Sequence, residues 1–116
     1  MTRSNITTDL LTLHKNNGLY AAIGIDGSFT DVDSGWYTIL GWQRIDLLTK
    51  PFIERVHPDD LDTVINQLYA LHSNGKEVTF NCRYRQKNGT YIWLSWQASL
   101  EVNNLDIYLK GQPDYS

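Results

Sequence analysis

Three histidines, one cysteine and a run of acids are the side chains of this chain that could do chemistry. His14, His57 and His72 are too far apart in sequence for a helical pair of metal ligands, and one cysteine cannot build a thiolate zinc site. His57 and the acids after it in the HPDD segment are interpreted as residues that cap a helix, not as a catalytic pair. The chain has no nucleophile elbow, phosphate loop or dinucleotide-binding glycine pattern. We therefore expect neither an enzyme nor a metal site.

Length and composition indicate one ordinary globular domain. The chain has 116 residues, of which 41% are hydrophobic and 20% are charged. Its net charge of −3 and the lack of a basic block argue against a nucleic-acid surface. No apolar run reaches the roughly 18 residues that cross a bilayer, so no membrane insertion is expected. A single cysteine excludes an internal disulfide, which favours a cytoplasmic protein.

The N-terminal third predicts a short amphipathic helix followed by a hairpin. Residues 8–16 place their leucines on one side of a helix, so residues 1–18 are interpreted as an N-terminal amphipathic helix and linker. Apolar residues then alternate over 19–25, as in a half-buried strand. Asp26-Gly27 is a turn signal that starts a second strand.

One long helix is predicted in the middle of the chain, after short helical turns over residues 33–56. Apolar residues recur there at helical spacing and should form the buried face: Leu61, Val64, Ile65, Leu68 and Leu71. Asn74-Gly75 supplies a left-handed stop.

The last third predicts a three-stranded antiparallel meander whose register follows from its alternating faces. A three-residue loop, Lys87-Asn88-Gly89, places Cys82 opposite Leu94 and keeps both faces uniform, whereas a two-residue turn would mix them. By the same test, Asn103-Asn104 is predicted to be a tight two-residue turn that pairs Leu100 with Ile107.

Three segments in this order resemble a PAS domain from residue 19 to 116: GSFTDVDSGWYTILGW, HPDD and RYRQKNGTYIWLSW. The resemblance implies an α+β fold with a five-stranded antiparallel sheet and with short helices and one long helix on one face. It also implies a sensory and dimerisation module of a bacterial signal-transduction protein. The final GQPDYS resembles the segment with which such domains lead into a C-terminal effector, which implies a histidine kinase or diguanylate cyclase of a two-component system.

A flavin- or haem-binding photo or redox sensor is the alternative function. Asn81-Cys82-Arg83 resembles the reactive triplet of flavin-binding members of the family, but it lies in a strand after the long helix instead of a helix before it. Haem-binding members carry their histidine about eleven residues before the closing glycine of the long helix, where this chain has Val64. His72, near the helix end, keeps the haem alternative open. We expect no cofactor.

The interior between sheet and helices is either filled by side chains or holds a small-molecule ligand. Buried tyrosine hydroxyls and indole N–H groups need partners there. The candidate pocket residues are Ile23, Ile25, Val64, Leu68, Phe80, Cys82, Tyr84, Leu94, Trp96 and Ile107.

The outer face of the sheet is the second candidate site. Arg83 is predicted to lie across from Trp93 with Tyr91 and Tyr108 nearby. The N-terminal helix of the same chain or of a partner could cover this face. A homodimer is therefore expected. Its candidate interface residues are Leu10, Leu13, Arg83, Tyr91, Trp93 and Tyr108.

Overall fold

The computed structural model describes residues 18–103 and 105–114, and in this part of the chain five strands and several helices form an α+β fold. The elements in chain order are β1 (Leu19–Ile23), β2 (Phe29–Val32), α1 (Gly35–Leu40), α2 (Arg44–Leu47), two 3-10 helices (Phe52–Arg55 and Pro58–Asp60), α3 (Leu61–Asn74), β3 (Val78–Arg85), β4 (Tyr91–Leu100) and β5 (Ile107–Pro113). The predicted fold class and the long helix are confirmed. The predicted N-terminal helix, with Leu10 and Leu13, lies outside the described residues.

The five strands form one antiparallel sheet in the order β2-β1-β5-β4-β3. The last strand lies in the centre and pairs with the first, so that Leu19 is opposite Gly111. The helices are inserted between β2 and β3, and α3 packs against β3 and β4. The sheet therefore has one face covered by the helices and one outer face.

The meander has the predicted register between β3 and β4. Cys82 is opposite Leu94 and Tyr84 is opposite Ile92. The loop between the strands is closed by a hydrogen bond of 2.7 Å from the Gln86 N–H to the Thr90 carbonyl oxygen, and Gly89 has a φ of 96°. The three-residue loop with a left-handed glycine is confirmed.

The turn between β4 and β5 is wider than the sequence predicts. Leu100 is opposite Ile107, as expected, but the Leu105 N–H donates to the Glu101 carbonyl oxygen at 2.8 Å. Leu105 has a φ of 65°, and both Leu105 and Val102 are exposed. The predicted two-residue turn is therefore wrong. It would pair Val102 with Leu105, but both lie beyond the end of the core, so this pairing would bury neither side chain.

Helix α3 ends as predicted and buries a narrower face than predicted. Gly75 follows it with a φ of 73° and donates its N–H to the Leu71 carbonyl oxygen. Val64 and Leu71 are fully buried, whereas Ile65 is 42% exposed. Ile65 lies on the flank of the helix because only a narrow strip of the helix contacts the sheet. Among the described helices, none has the length and apolarity needed to cross a membrane.

Candidate ligand core and outer sheet face

Aromatic rings fill the space between the sheet and the helices. Phe52 stacks on Tyr84 with ring centroids 5.2 Å apart, and Trp96 meets Phe52 edge to face at 5.1 Å. Trp36 contacts Tyr84 at 5.7 Å and Phe29 at 5.1 Å. All five residues are buried. In the described part of the chain, the interior is therefore occupied by side chains of its own.

Nine of the ten candidate pocket residues lie in or against this core. The fully or nearly buried ones are Ile23, Val64, Phe80, Cys82, Tyr84, Leu94, Trp96 and Ile107, and Leu68 is half-buried against them. They share one face of the sheet and the facing side of α3, as the alternation predicts. Whether they bind a ligand stays a prediction.

Ile25 is misplaced by the sequence analysis, since it is 72% exposed. Strand β1 ends at Ile23, and the chain leaves the sheet through a loop closed by a hydrogen bond from the Gly24 N–H to the Ser28 carbonyl oxygen at 2.9 Å. The Asp26 carboxylate accepts the Ser28 N–H at 2.9 Å, which holds this loop as an Asx turn. The Asp-Gly-Ser sequence is the signal from which the end of β1 at Ile23 could have been predicted.

Two polar groups inside the core differ in their partners. The Tyr84 hydroxyl donates a hydrogen bond of 2.7 Å to the Phe52 carbonyl oxygen. Burial raises the pKa of Tyr84, so this hydroxyl stays protonated. The buried indole N–H of Trp96 has no oxygen or nitrogen partner among the described residues and lies beside the Cys82 thiol, a weak acceptor.

Cys82 is not placed for covalent chemistry. Its side chain is fully buried in β3, and burial raises the pKa of its thiol to about 12. The protonated thiol is therefore a small apolar part of the core. This environment disfavours the flavin-attacking role of the Asn-Cys-Arg triplet.

Arg55 is a buried residue that sequence reasoning missed. It is 4% exposed, and one of its terminal N–H groups donates to the Asp46 carbonyl oxygen at 2.9 Å. The guanidinium carbon lies 4.2 Å from the centroid of the Trp42 ring, and the guanidinium also lies beside the Tyr84 hydroxyl, where its charge opposes the rise in the pKa of Tyr84. Arg55 thus ties the first 3-10 helix to α2. No periodic pattern marks it, because charged residues usually lie at the surface.

Arg83 and Asp60 form the best-connected ion pair of the outer face. The carboxylate accepts the Nε–H of Arg83 at 2.9 Å, a terminal N–H at 2.8 Å and the backbone N–H at 2.8 Å. These bonds from Arg83 hold the pKa of Asp60 below its usual value.

The interpretation of Asp60 as a helix cap is wrong, since its side chain makes no capping bond. His57 does cap: its Nδ1 accepts the Asp59 N–H at 3.0 Å.

The candidate dimer residues divide into two separate groups. Arg83 lies over the Trp93 ring at 4.8 Å, and Tyr91, at the edge of the same strand, contacts the ring of His57. Tyr108 is instead opposite Ser99, six residues along β4 from Trp93, and packs against Tyr20. The expectation that Tyr108 lies near Trp93 is wrong, because six residues of strand separate them by roughly 20 Å.

A polar groove of about 540 Å³ lies on the outer sheet face. The polar side chains that line it come from β3, β4 and β5: Thr79, Asn81, Ser95, Gln97, Lys110 and Gln112. The outer face is therefore not a continuous aromatic surface. We call Tyr91, Trp93 and Arg83 the Trp93 patch below. Leu10 and Leu13, the predicted cover, lie outside the described residues.

Comparison with known proteins identifies the family. The family described as PAS fold matches residues 29–106. The chain is 31% identical over 104 residues to an aryl hydrocarbon receptor nuclear translocator homolog of Drosophila melanogaster, covering 89% of this chain and 15% of that protein. It is 29% identical over 80 residues to hypoxia-inducible factor 1-alpha of Oncorhynchus mykiss, covering 69% of this chain and 10% of that protein.

Solved structures agree in fold. The PAS-B domain of wild-type Drosophila melanogaster Cycle with bound ethylene glycol superimposes with a TM-score of 0.68 at 21% identity, covering 83% of this chain and 97% of that one. A tryptophan-to-alanine variant of the same domain with bound glycerol gives a TM-score of 0.67 at 21% identity, covering 81% and 95%. The chain spans no more than 15% of the length of the curated relatives named above. Its fold and the family match together show that this chain belongs to the PAS fold family.

Proposed function

We propose that this chain is the sensory and dimerisation module of a larger signal-transduction protein, and that it relays a change caused by a ligand or partner to an effector. The observation that carries this proposal is the contact at its C-terminal end. The Asp114 N–H donates a hydrogen bond of 3.0 Å to the carbonyl oxygen of Trp93. The end of β5 is thereby tied to the residue at the centre of the Trp93 patch.

The contacts continue from this patch to the long helix. Arg83 lies on the Trp93 ring and is held by the carboxylate of Asp60, which immediately precedes α3. A shift of α3 against the sheet must therefore move or break the Asp60–Arg83 pair. If a partner binds the Trp93 patch in only one of the two positions of α3, its binding shifts the population of molecules toward that position. The module acts by this conformational transmission, without a catalytic step of its own.

The effector and the cellular context are the finer part of the proposal. A C-terminal histidine kinase or diguanylate cyclase in a bacterial two-component system rests on the resemblance of GQPDYS to the segment that precedes such effectors. The relatives named above are animal proteins, and they do not support the bacterial context. We keep a cytoplasmic signalling protein as the proposal, and the domain composition of the larger protein decides between the effector classes.

Sedimentation tests the proposed dimer. We expect the wild-type chain to sediment as a dimer at tens of micromolar and Trp93→Glu to shift it toward monomer, because a charge would enter the contact. Tyr69→Glu is the matched control, since Tyr69 is an exposed aromatic residue on α3 that does not line the groove beside Trp93. A wild-type monomer at this concentration, or equal dimerisation of Trp93→Glu, would contradict the proposal.

An absorption spectrum tests the alternative of a flavin- or haem-binding sensor. Cys82 is a buried, protonated thiol and Val64 is a buried core residue, so neither position supplies a reactive cofactor ligand. The purified protein is therefore expected to be colourless. Bands near about 450 nm or 410 nm, typical of flavin and haem, would favour the alternative instead.

A further inference from the structure

An open cleft of about 350 Å³ lies at the end of the sheet where β1 stops. Two neighbouring strands contribute its floor, since Ile23 of β1 is paired with Ile107 of β5. The loop after β1 and the second half of α3 form its sides. The side chains that line it are Ile23, Ile25, Leu68, Tyr69, His72 and Ile107. It lies outside the ring-filled interior and is reached directly from solvent.

The sides of this cleft are large apolar residues that the fold leaves exposed. Ile25 is 72% exposed and Tyr69 is 74% exposed, although they come from different elements. Their side chains flank a floor of two buried isoleucines. A molecule seated between them would remove apolar surface from water on both sides and below, which is the main source of affinity in small-molecule sites.

One ring with free polar atoms borders the cleft. The imidazole of His72 makes no hydrogen bond within the described chain, whereas the nearby N–H groups of Gly24 and Gly27 already bond to the loop backbone. A side chain at Gly24 would approach a carboxylate oxygen of Asp26 at 3.5 Å and one of Asp106 at 4.0 Å. These two carboxylates place negative charge beside the cleft, which disfavours an anion there.

We propose that this cleft binds a small neutral compound of one or two fused rings that carries one hydrogen-bonding group for His72. The volume is at the small end of ligand pockets, which span roughly 300–1,000 Å³. The inference rests on the proposed relay and names the class of ligand, since Ile23, Ile25, Leu68 and Ile107 of the cleft are also candidate pocket residues. Ile107 is the first residue of β5, and the other end of β5 leads to the contact between Asp114 and Trp93. A ligand in the cleft would therefore touch the strand that carries this contact.

A matched pair of probes tests the proposal with the full chain. Indole and indole-3-carboxylate share their rings and differ in charge, and each is titrated while amide shifts are followed by NMR. We expect indole to give saturable shifts centred on residues 23–27, 68–72 and 107. We expect indole-3-carboxylate to bind about ten-fold more weakly, because of the neighbouring carboxylates.

Two exposed isoleucines supply the variant and its control. Ile25→Asp should weaken indole binding about ten-fold, since it puts a charge into the apolar side of the cleft. Ile45→Asp changes an isoleucine on α2 that is 70% exposed and should leave binding unchanged. Any of three results would overturn the proposal. Indole binding could weaken equally in both variants, the amide shifts could centre on Trp96 and Cys82, or the titration could fail to saturate.

Sedimentation of the same variants separates this inference from the proposed dimer. Ile25→Asp should sediment as the wild type does. A change of oligomeric state in Ile25→Asp would show that the cleft contacts a second copy of the chain, which would overturn the ligand proposal. A lack of indole binding with an intact dimer would refute the cleft alone and leave the proposed function standing.

Discussion

The hydroxyl of Tyr84 is the most direct test of how the aromatic core is built. It donates a hydrogen bond of 2.7 Å to the Phe52 carbonyl oxygen, and both residues are fully buried. Tyr84→Phe removes the hydroxyl and keeps the ring that stacks on Phe52. The substitution removes this hydrogen bond and the contact of the hydroxyl with the Arg55 guanidinium, without opening a large cavity.

The expected loss of stability follows from what is left behind. A typical hydrogen bond contributes about 0.5–1.5 kcal/mol, but a buried group that loses its partner costs about 1–3 kcal/mol. The Phe52 carbonyl oxygen would lose its Tyr84 partner inside the core, so we expect the free energy of unfolding to fall by about 1–3 kcal/mol. At about 4 °C per kcal/mol for a domain of this size, the melting temperature should fall by roughly 4–12 °C.

Urea and thermal unfolding of Tyr84→Phe, with Tyr37→Phe as control, measure this loss. Tyr37 is exposed on α1, so removing its hydroxyl should change the free energy of unfolding by less than about 0.5 kcal/mol. A Tyr84→Phe protein as stable as the control would refute the reasoning. It would mean that water reaches the Phe52 carbonyl or that the hydroxyl lies elsewhere.

Three further predictions concern packing, pH and thiol chemistry. Gly35→Ala should lower the free energy of unfolding, measured in urea, by about 3 kcal/mol, because its Cβ would collide with the backbone oxygen of Gly18. Gly24→Ala should cost less than about 1 kcal/mol, because the nearest atom to its Cβ would be 3.5 Å away. Equal losses in the two variants would contradict this packing. The folded-state pKa of Asp60 lies below its unfolded value, so its pairing with Arg83 stabilises the protein above about pH 4 and is lost as pH falls through the folded pKa. Denaturation midpoints between pH 7 and pH 3 should therefore fall more steeply for the wild type than for Asp60→Asn, and parallel curves would argue against the pair. Cys82, with its pKa raised to about 12, should resist a thiol reagent at about pH 8 in the native protein and react quickly in urea, whereas fast native labelling would show an open core.

The elements that the sequence predicts correctly are those with a local, periodic signal. The β3–β4 register follows from keeping Cys82 opposite Leu94, because a shift of one residue would turn every apolar side chain outward. The end of α3 follows from Gly75, which adopts the left-handed conformation that ordinary residues avoid. The family resemblance rests on motifs of the same local kind.

The incorrect or missing features depend on atoms that are distant in sequence. Asp60 lies 23 residues from Arg83, and no local pattern distinguishes a carboxylate that caps its own helix from one that pairs with a strand. Arg55 is buried because the Trp42 ring and a carbonyl of α2 happen to meet its guanidinium. Ile25 is apolar and in phase with β1, yet an Asx turn takes it out of the sheet.

The sequence by itself indicated the family, the β3–β4 register and most of the residues that face the core, because alternation and turn residues act over a few neighbouring positions. The tertiary structure decided whether that core is filled and how the outer face is divided. The five aromatic rings close the interior, and a polar groove separates the Trp93 patch from Tyr108. Both outcomes depend on ring orientations and on distances between strands, which arise only when elements far apart in the chain pack together.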